Sequence, residues 1–187
     1  MRRLGLPFAQ FNPAIDETPL DGESGEELVL RLSYNKALAA QKDYPNAVVV
    51  GSDQVGVLDG TILNKPGTTR GALEQLRAAS GKEVEFLTGL CVLDTATGTH
   101  LKSVDVCRVL FRNLADAAIA DYVEREQPLD CAGSFKVEGL GISLFRRVLM
   151  DDPTALEGLP LIRLTDSLQH FGLAVLAGGH PPRQAIQ

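Results

Sequence analysis

The chain has 187 residues, 44% of them hydrophobic, with 24 acidic against 18 basic side chains and a formal charge of −6. That length supports one good core rather than two large domains, so a single domain over 1–187 is expected, with 178–187 as a flexible tail. No apolar run approaches the roughly 20 residues that span a bilayer, and the acidic balance speaks against broad binding to DNA or RNA, while a small anionic ligand remains compatible with it.

The N-terminal Met1-Arg2-Arg3-Leu4-Gly5-Leu6-Pro7 has two cations but neither an apolar core segment nor a small-residue cleavage site, so it reads as no signal or transit peptide. Cys91, Cys107 and Cys131 are odd in number and widely spaced, without C-x-x-C or Cys/His ligand spacing. They read as reduced thiols of a cytoplasmic protein. His100, His170 and His180 form no metal or nucleophile constellation.

Along the chain, Ser24-Gly25-Glu26-Glu27 has the S-x-x-E form of a capping box, and apolar periodicity continues from it to about Ala40. Leu28, Leu32 and Lys36 share one stripe at spacing four, so a cation continues an inward-facing apolar row and needs a reason to be there. Ala47 to Val50 reads as a short buried strand ending in the polar Gly51-Ser52-Asp53-Gln54. Asp59-Gly60, flanked by Val55 to Leu58 and Thr61 to Leu63, signals a hairpin turn, and Lys65-Pro66 follows.

Thr69 to Ala79 predicts a helix stopped at Ser80-Gly81. Val84, Phe86, Thr88, Leu90 and Val92 alternate into a strand, and Thr97-Gly98 turns it into a second one, His100 to Arg112. A helix is expected from Ala115 to Glu124, ended by Pro128, and a last amphipathic helix over Leu161 to Phe171. Between them, Gly133 to Gly141 mixes glycines with strand formers. Those glycines suit either close backbone approach to a ligand or strand bends.

Seven blocks carry a resemblance. They are Asp16-Glu17-Thr18-Pro19, Arg31-Leu32-Ser33-Tyr34-Asn35-Lys36-Ala37, Gly51-Ser52-Asp53-Gln54-Val55, Lys65-Pro66, Thr88-Gly89-Leu90, Cys131-Ala132-Gly133-Ser134-Phe135-Lys136-Val137-Glu138-Gly139 and Gly158-Leu159-Pro160-Leu161. In this order, over nearly the whole sequence, they resemble the Maf family. Gly-Ser-Asp-Gln followed by Ser-Phe-Lys-x-Glu-Gly is similar to the branch that hydrolyses 7-methyl-GTP, whereas the dTTP/UTP branch usually has Thr where this chain has Gln54.

The resemblance implies an α/β fold with an elongated mixed β-sheet flanked by helices, akin to inosine triphosphatases, often as a homodimer. It implies a divalent cation, Mg²⁺ or Mn²⁺, and cleavage of a nucleoside triphosphate to monophosphate and diphosphate. One departure stands out: family members begin with a strand and a Ser-rich loop ending Ser-Pro-x-Arg, whereas Met1 to Phe8 aligns with the end of the following helix. The first strand and phosphate-gripping loop are therefore expected to be missing. A start codon assigned too far downstream and a truly shortened chain both account for this.

The chemistry needs an activated water, an electrophile relieved of charge and a stabilised leaving diphosphate. Asp53, read as lying just past a strand's C-terminal end, is the family's proton acceptor and a metal ligand; alone it would read as a turn or capping aspartate. Glu17 adds a second hard oxygen ligand. Lys36 and Lys65 are expected on the triphosphate, and Gln54 and Glu138 on the base, where an acid favours the positive charge of 7-methylguanine. Phe135 reads as core before it reads as a stacking residue. A nucleotide-binding or cell-division-arrest protein with little turnover, and a pyrophosphatase preferring dTTP or UTP, are the competing readings.

Overall fold

The computed structural model describes residues 1–176 and the backbone of Ala185–Ile186; the tail expected at 178–187 otherwise lies outside the described residues. Its centre is a mixed sheet built from β1 (Phe8–Ala9), β2 (Val48–Leu58), β3 (Thr61–Leu63), β4 (Glu83–Asp94), β5 (His100–Phe111), β6 (Phe145–Leu149) and β7 (Ala185–Ile186). The order is β1-β7-β2-β4-β5-β6, with β3 also paired to β2. Strands β2 to β6 pair antiparallel, and β1, β7 and β2 pair parallel. Four α-helices are described: α1 (Gly25–Ala39), α2 (Thr69–Ala79), α3 (Asp116–Glu126) and α4 (Leu161–His170).

Strand alternation sorts the core into two faces. Val49, Cys91 and Leu93 pack with Ala37 of α1 and with Ala40, which caps its C-terminus, and Val55 packs with Leu28, Val29 and Leu32. On the other face, Phe86, Val109 and Phe111 meet Leu76 of α2 and Ile119 and Val123 of α3, while Val50, Leu90 and Val92 meet Leu164 and Leu168 of α4. The sheet is thus flanked by helices on both sides.

Helix α1 starts as the capping box requires: the Ser24 hydroxyl accepts from Glu27 N at 3.2 Å, and Glu27 Oε2 accepts from Ser24 N at 2.9 Å. It lies unusually close to the sheet because Gly51 and Gly89 face it. A Cβ on Gly51 would collide with the carbonyl oxygen of Ser33, and one on Gly89 with the backbone of Val29. The Asp59-Gly60 hairpin and the long β4–β5 hairpin form as expected.

One expectation needs correction, and two segments that the sequence left unassigned take definite form. Strand β2 does not end at Val50. It runs on to Leu58 and pairs with β4 from Val48 to Val57, so Asp53 sits mid-strand rather than past a strand end. The ladder to β4 holds the polar Gly51-Ser52-Asp53-Gln54 in extended form, which side-chain hydrophobicity did not signal. Residues 132–144 form two 3-10 turns, Ala132–Ser134 and Leu140–Leu144, rather than extended chain. Their glycines abut the protein itself: Gly133 meets the Phe86 ring, Gly139 the Glu126 carboxylate and Gly141 the Lys136 backbone. Finally, β6 with its two exposed arginines gave no strand signal at all.

Candidate active site

Strand β2 has β4 along one edge for most of its length, but its other edge is shared. Strand β7 takes Val48 and Val49, and β3 takes Gly56 to Leu58. Among the described residues, 50–55 have no sheet neighbour on that side. A cleft opens there, made of two adjoining cavities of about 330 and 290 Å³ that both touch Asp53, Gln54 and Lys65.

A chain of alternating charges lines the α1 side. Lys36 Nζ donates to Asp53 Oδ1 at 2.6 Å and lies 2.8 Å from Glu17 Oε1, and Lys65 Nζ donates to Glu17 Oε2 at 3.2 Å. Asp53 and Lys36 are mostly buried, at 10% and 18% side-chain exposure, while Glu17 and Lys65 reach solvent. The inward stripe on α1 explains the depth of Lys36. The close helix–sheet contact at Gly51 and Gly89 explains how it reaches a strand residue.

Burial pushes the Asp53 carboxyl above its ordinary value, and the hydrogen bond and charge of Lys36 only partly pull it back. Burial likewise works against the Lys36 charge, but the hydrogen bonds to Asp53 and Glu17 outweigh it, and its pKa ends above the ordinary lysine value. Glu17 is held below the usual carboxylate range by its hydrogen bond to Lys36, against some burial, with Lys65 adding to the effect. The site is thus built from two acids and two lysines in alternation.

Glu17 comes from a segment without regular structure, and Arg31 on α1 ties that segment down. Its guanidinium grips Glu23 through both carboxylate oxygens at 2.6 and 2.7 Å and donates to the Thr18 carbonyl at 3.0 Å. The Arg31 hydrogen bond, against slight desolvation, lowers Glu23 to about 2. Arg31 was visible in a family block without a role; its task here is to hold the acid-bearing loop over Lys36.

On the face of β2 away from α1, the residues that reach the cleft are neutral. Ser52 Oγ lies 2.8 Å from the carbonyls of Gly89 and Gly158, and Gln54 Nε2 donates to Thr88 Oγ1 at 2.8 Å and to the Ala155 carbonyl at 2.9 Å. Glu138 is exposed and lines the same cavity as Lys36, Asp53 and Gln54. Phe135 sits edge-on to Phe86, Phe111 and Phe145 and is 5% exposed, a core aromatic as expected. All six residues singled out from the sequence, Glu17, Lys36, Asp53, Gln54, Lys65 and Glu138, thus border one cleft. Sequence reasoning passed over the wall at Ala155 to Gly158, whose carbonyls position Ser52 and Gln54 and which carries no motif beyond Gly158 itself.

Among the described residues no three His, Cys, Asp or Glu side chains gather into a metal-binding cluster, and no helix is long and apolar enough to cross a membrane. What the site does offer a cation is visible at Lys36, where oxygens of Asp53 and Glu17 converge on one ammonium group. Two carboxylates completed by phosphate oxygens and water form a donor set that suits Mg²⁺ or Mn²⁺.

Comparison with known proteins adds the family. Residues 1–171 match the model described as Maf-like protein. A 7-methyl-GTP pyrophosphatase of Pseudomonas aeruginosa is 54% identical over 94% of this chain and 91% of its own length. Proteins of the same name from Nitrosococcus oceani and Bordetella pertussis are 53% and 49% identical, covering 94% and 97% of this chain and 88% and 89% of their own lengths. With the fold, the cleft and these full-length matches in agreement, the chain belongs to the Maf family.

Proposed function

We propose that the cleft hydrolyses 7-methyl-GTP to 7-methyl-GMP and diphosphate, clearing a modified nucleotide before it enters nucleic acid. The observation that carries this reading is the buried Asp53–Lys36 pair at the unpaired edge of β2, facing a cleft that Gln54 and Glu138 also line. The names of the relatives at about half identity support the substrate.

Asp53 is the general base. Burial raises its pKa, which makes it a better proton acceptor than a solvated carboxylate. It takes a proton from water as the water oxygen bonds to the α-phosphorus, and the bond from that phosphorus to the bridging oxygen breaks as diphosphate leaves. Lys36 and Lys65 face the phosphates and offset charge that builds on them. Glu17 and Asp53 would hold a divalent cation with phosphate oxygens, and that cation would relieve the electrophile of negative charge.

The base lies toward Gln54 and Glu138. Methylation at N7 makes the guanine ring cationic, so the exposed carboxylate of Glu138 favours it over unmodified guanine.

The test is diphosphate release from 7-methyl-GTP, GTP, dTTP and UTP with Mg²⁺ or Mn²⁺. A clear kcat/KM preference for 7-methyl-GTP, reduced toward GTP by Glu138→Gln, is expected. Equal turnover of GTP would remove the charge argument, a dTTP or UTP preference would move the chain to the other branch, and no turnover would leave a binding protein.

A further inference from the structure

Gln54, Thr88 and Asp105 lie opposite one another on β2, β4 and β5, so their side chains form a polar row across one sheet face. Thr88 is fully buried, and its hydroxyl donates to the Ala155 carbonyl at 3.0 Å. With its hydrogen committed there, Thr88 Oγ1 can only accept, and it accepts from Gln54 Nε2 at 2.8 Å. The same amide nitrogen also donates to the Ala155 carbonyl at 2.9 Å.

The Gln54 amide nitrogen is thus held between two protein acceptors. Turning the amide over would set its oxygen against a backbone carbonyl that cannot donate, so one orientation is fixed. The remaining group, Oε1, has no protein partner among the described residues and is not a buried unsatisfied atom, and Gln54 borders both cavities. Its carbonyl oxygen therefore meets the cleft.

We propose that Thr88 is a positioning residue for specificity: it locks the Gln54 amide so that the cleft presents a hydrogen-bond acceptor and no donor at that point, selecting bases whose edge carries N–H groups. The proposal rests on the reading of Gln54 as a base-facing residue. Guanine offers N1–H and a 2-amino group along its pyrimidine edge, where adenine has an acceptor at N1. A locked acceptor accepts the first and repels the second, and a glutamine free to turn over would accommodate both.

Thr88→Val keeps the side-chain shape and removes the acceptor, leaving the Ala155 carbonyl still bonded to Gln54. The experiment is calorimetric binding of 7-methyl-GMP and 7-methyl-AMP to the full chain, with inorganic diphosphate as control. Wild type is expected to prefer the guanine nucleotide by on the order of tenfold or more, since a site built around a fixed polar group rejects the mismatched partner strongly. Thr88→Val should lower that preference by roughly threefold to tenfold, the scale of one neutral hydrogen bond, without abolishing it because the Ala155 carbonyl still holds the amide, with diphosphate binding unchanged, and Thr88→Ser should restore the full preference.

A mere packing role would weaken both nucleotides alike and leave their ratio intact, which overturns the proposal. If the valine variant does not fold, Thr88→Cys, with its weak acceptor, carries the same comparison. Gln54→Leu separates the two levels: a preference that survives it brings down the base-facing reading itself, whereas one that it abolishes and Thr88→Val preserves overturns only the role of Thr88.

Discussion

The two faces of β2 divide the labour of the cleft. Toward α1 the strand presents Asp53, joined through Lys36 and Glu17 to Lys65, a run of full charges at the edge of an apolar interface. Toward α4 it presents Ser52 and Gln54, neutral groups held by backbone carbonyls and by Thr88. Neighbours in sequence thus point into different chemistries, because strand side chains alternate. Among the described residues, 50–55 have no sheet neighbour on one side, and the cleft there lets one ligand meet both. The charged face suits phosphates and proton transfer, and the neutral face suits recognition of a base.

The comparison breaks most sharply at Asp53. Asp53→Asn keeps the shape and removes the proton acceptor, so turnover of 7-methyl-GTP should fall by about 10²- to 10⁴-fold. Product-nucleotide binding, which the proposed reading assigns to the neutral face, should stay within a few-fold. Steady-state diphosphate release and calorimetry on the same preparation check both. Equal losses of the two would mean that the faces are not separable.

Next in size is the contact that brings α1 onto the sheet. Gly89→Ala places a methyl group against the backbone of Val29, which has no flexible end to swing away. The expected cost is about 3 kcal/mol, at the upper end for overpacking, read as a lowered urea midpoint. Lys36 rides on the displaced helix, so activity should fall even in the fraction that stays folded. An alanine variant with wild-type stability would show that the helix sits farther out than the structure places it.

How much of this was legible follows the same division. The capping box, the Asp59-Gly60 turn and the β4–β5 alternation are local signals, and each formed as read. The inward stripe gave the depth of Lys36, but its ion pair with Asp53 needed the helix–sheet distance that Gly51 and Gly89 set, which is a tertiary fact. The extension of β2 through Gly51-Ser52-Asp53-Gln54 was hidden because those residues are polar where they meet the cleft, while the ladder to β4 that keeps them extended is made by backbone. Lys65 and Glu138 were legible only through the family blocks; their side chains are exposed, and exposed charges carry no periodic signal.

A pH profile sharpens the picture of the charged face. Asp53 must be ionised to accept a proton, so kcat/KM falls as pH drops through its pKa, which burial raises. Lys36 opposes that rise. Lys36→Met should therefore shift the acid limb to higher pH, in addition to lowering the plateau through the lost phosphate contact. An acid limb that stays in place would assign the limb to another group.

The smallest expected effect concerns Asp105, a charged residue on the same sheet face as Gln54 and Thr88. Asp105 is 5% exposed, its Oδ2 has no hydrogen bond, and Arg163 Nε on α4 stands 3.5 Å away. Burial raises the Asp105 pKa, and Arg163 pulls it partly back. A carboxyl with a raised folded-state pKa contributes stability that is present below its unfolded value and is lost as pH rises through the folded one. Arg163→Ala removes the opposing cation, so Asp105 rises further and the loss on going to neutral pH deepens. The variant should be less stable than wild type by about 1 kcal/mol at pH 7, the upper range for a pair with one exposed partner. Below the Asp105 titration, where both proteins carry a protonated acid, the difference should vanish. Urea unfolding at several pH values reads this directly, and a deficit independent of pH would mean that Arg163 acts by packing its stem over the sheet rather than by its charge.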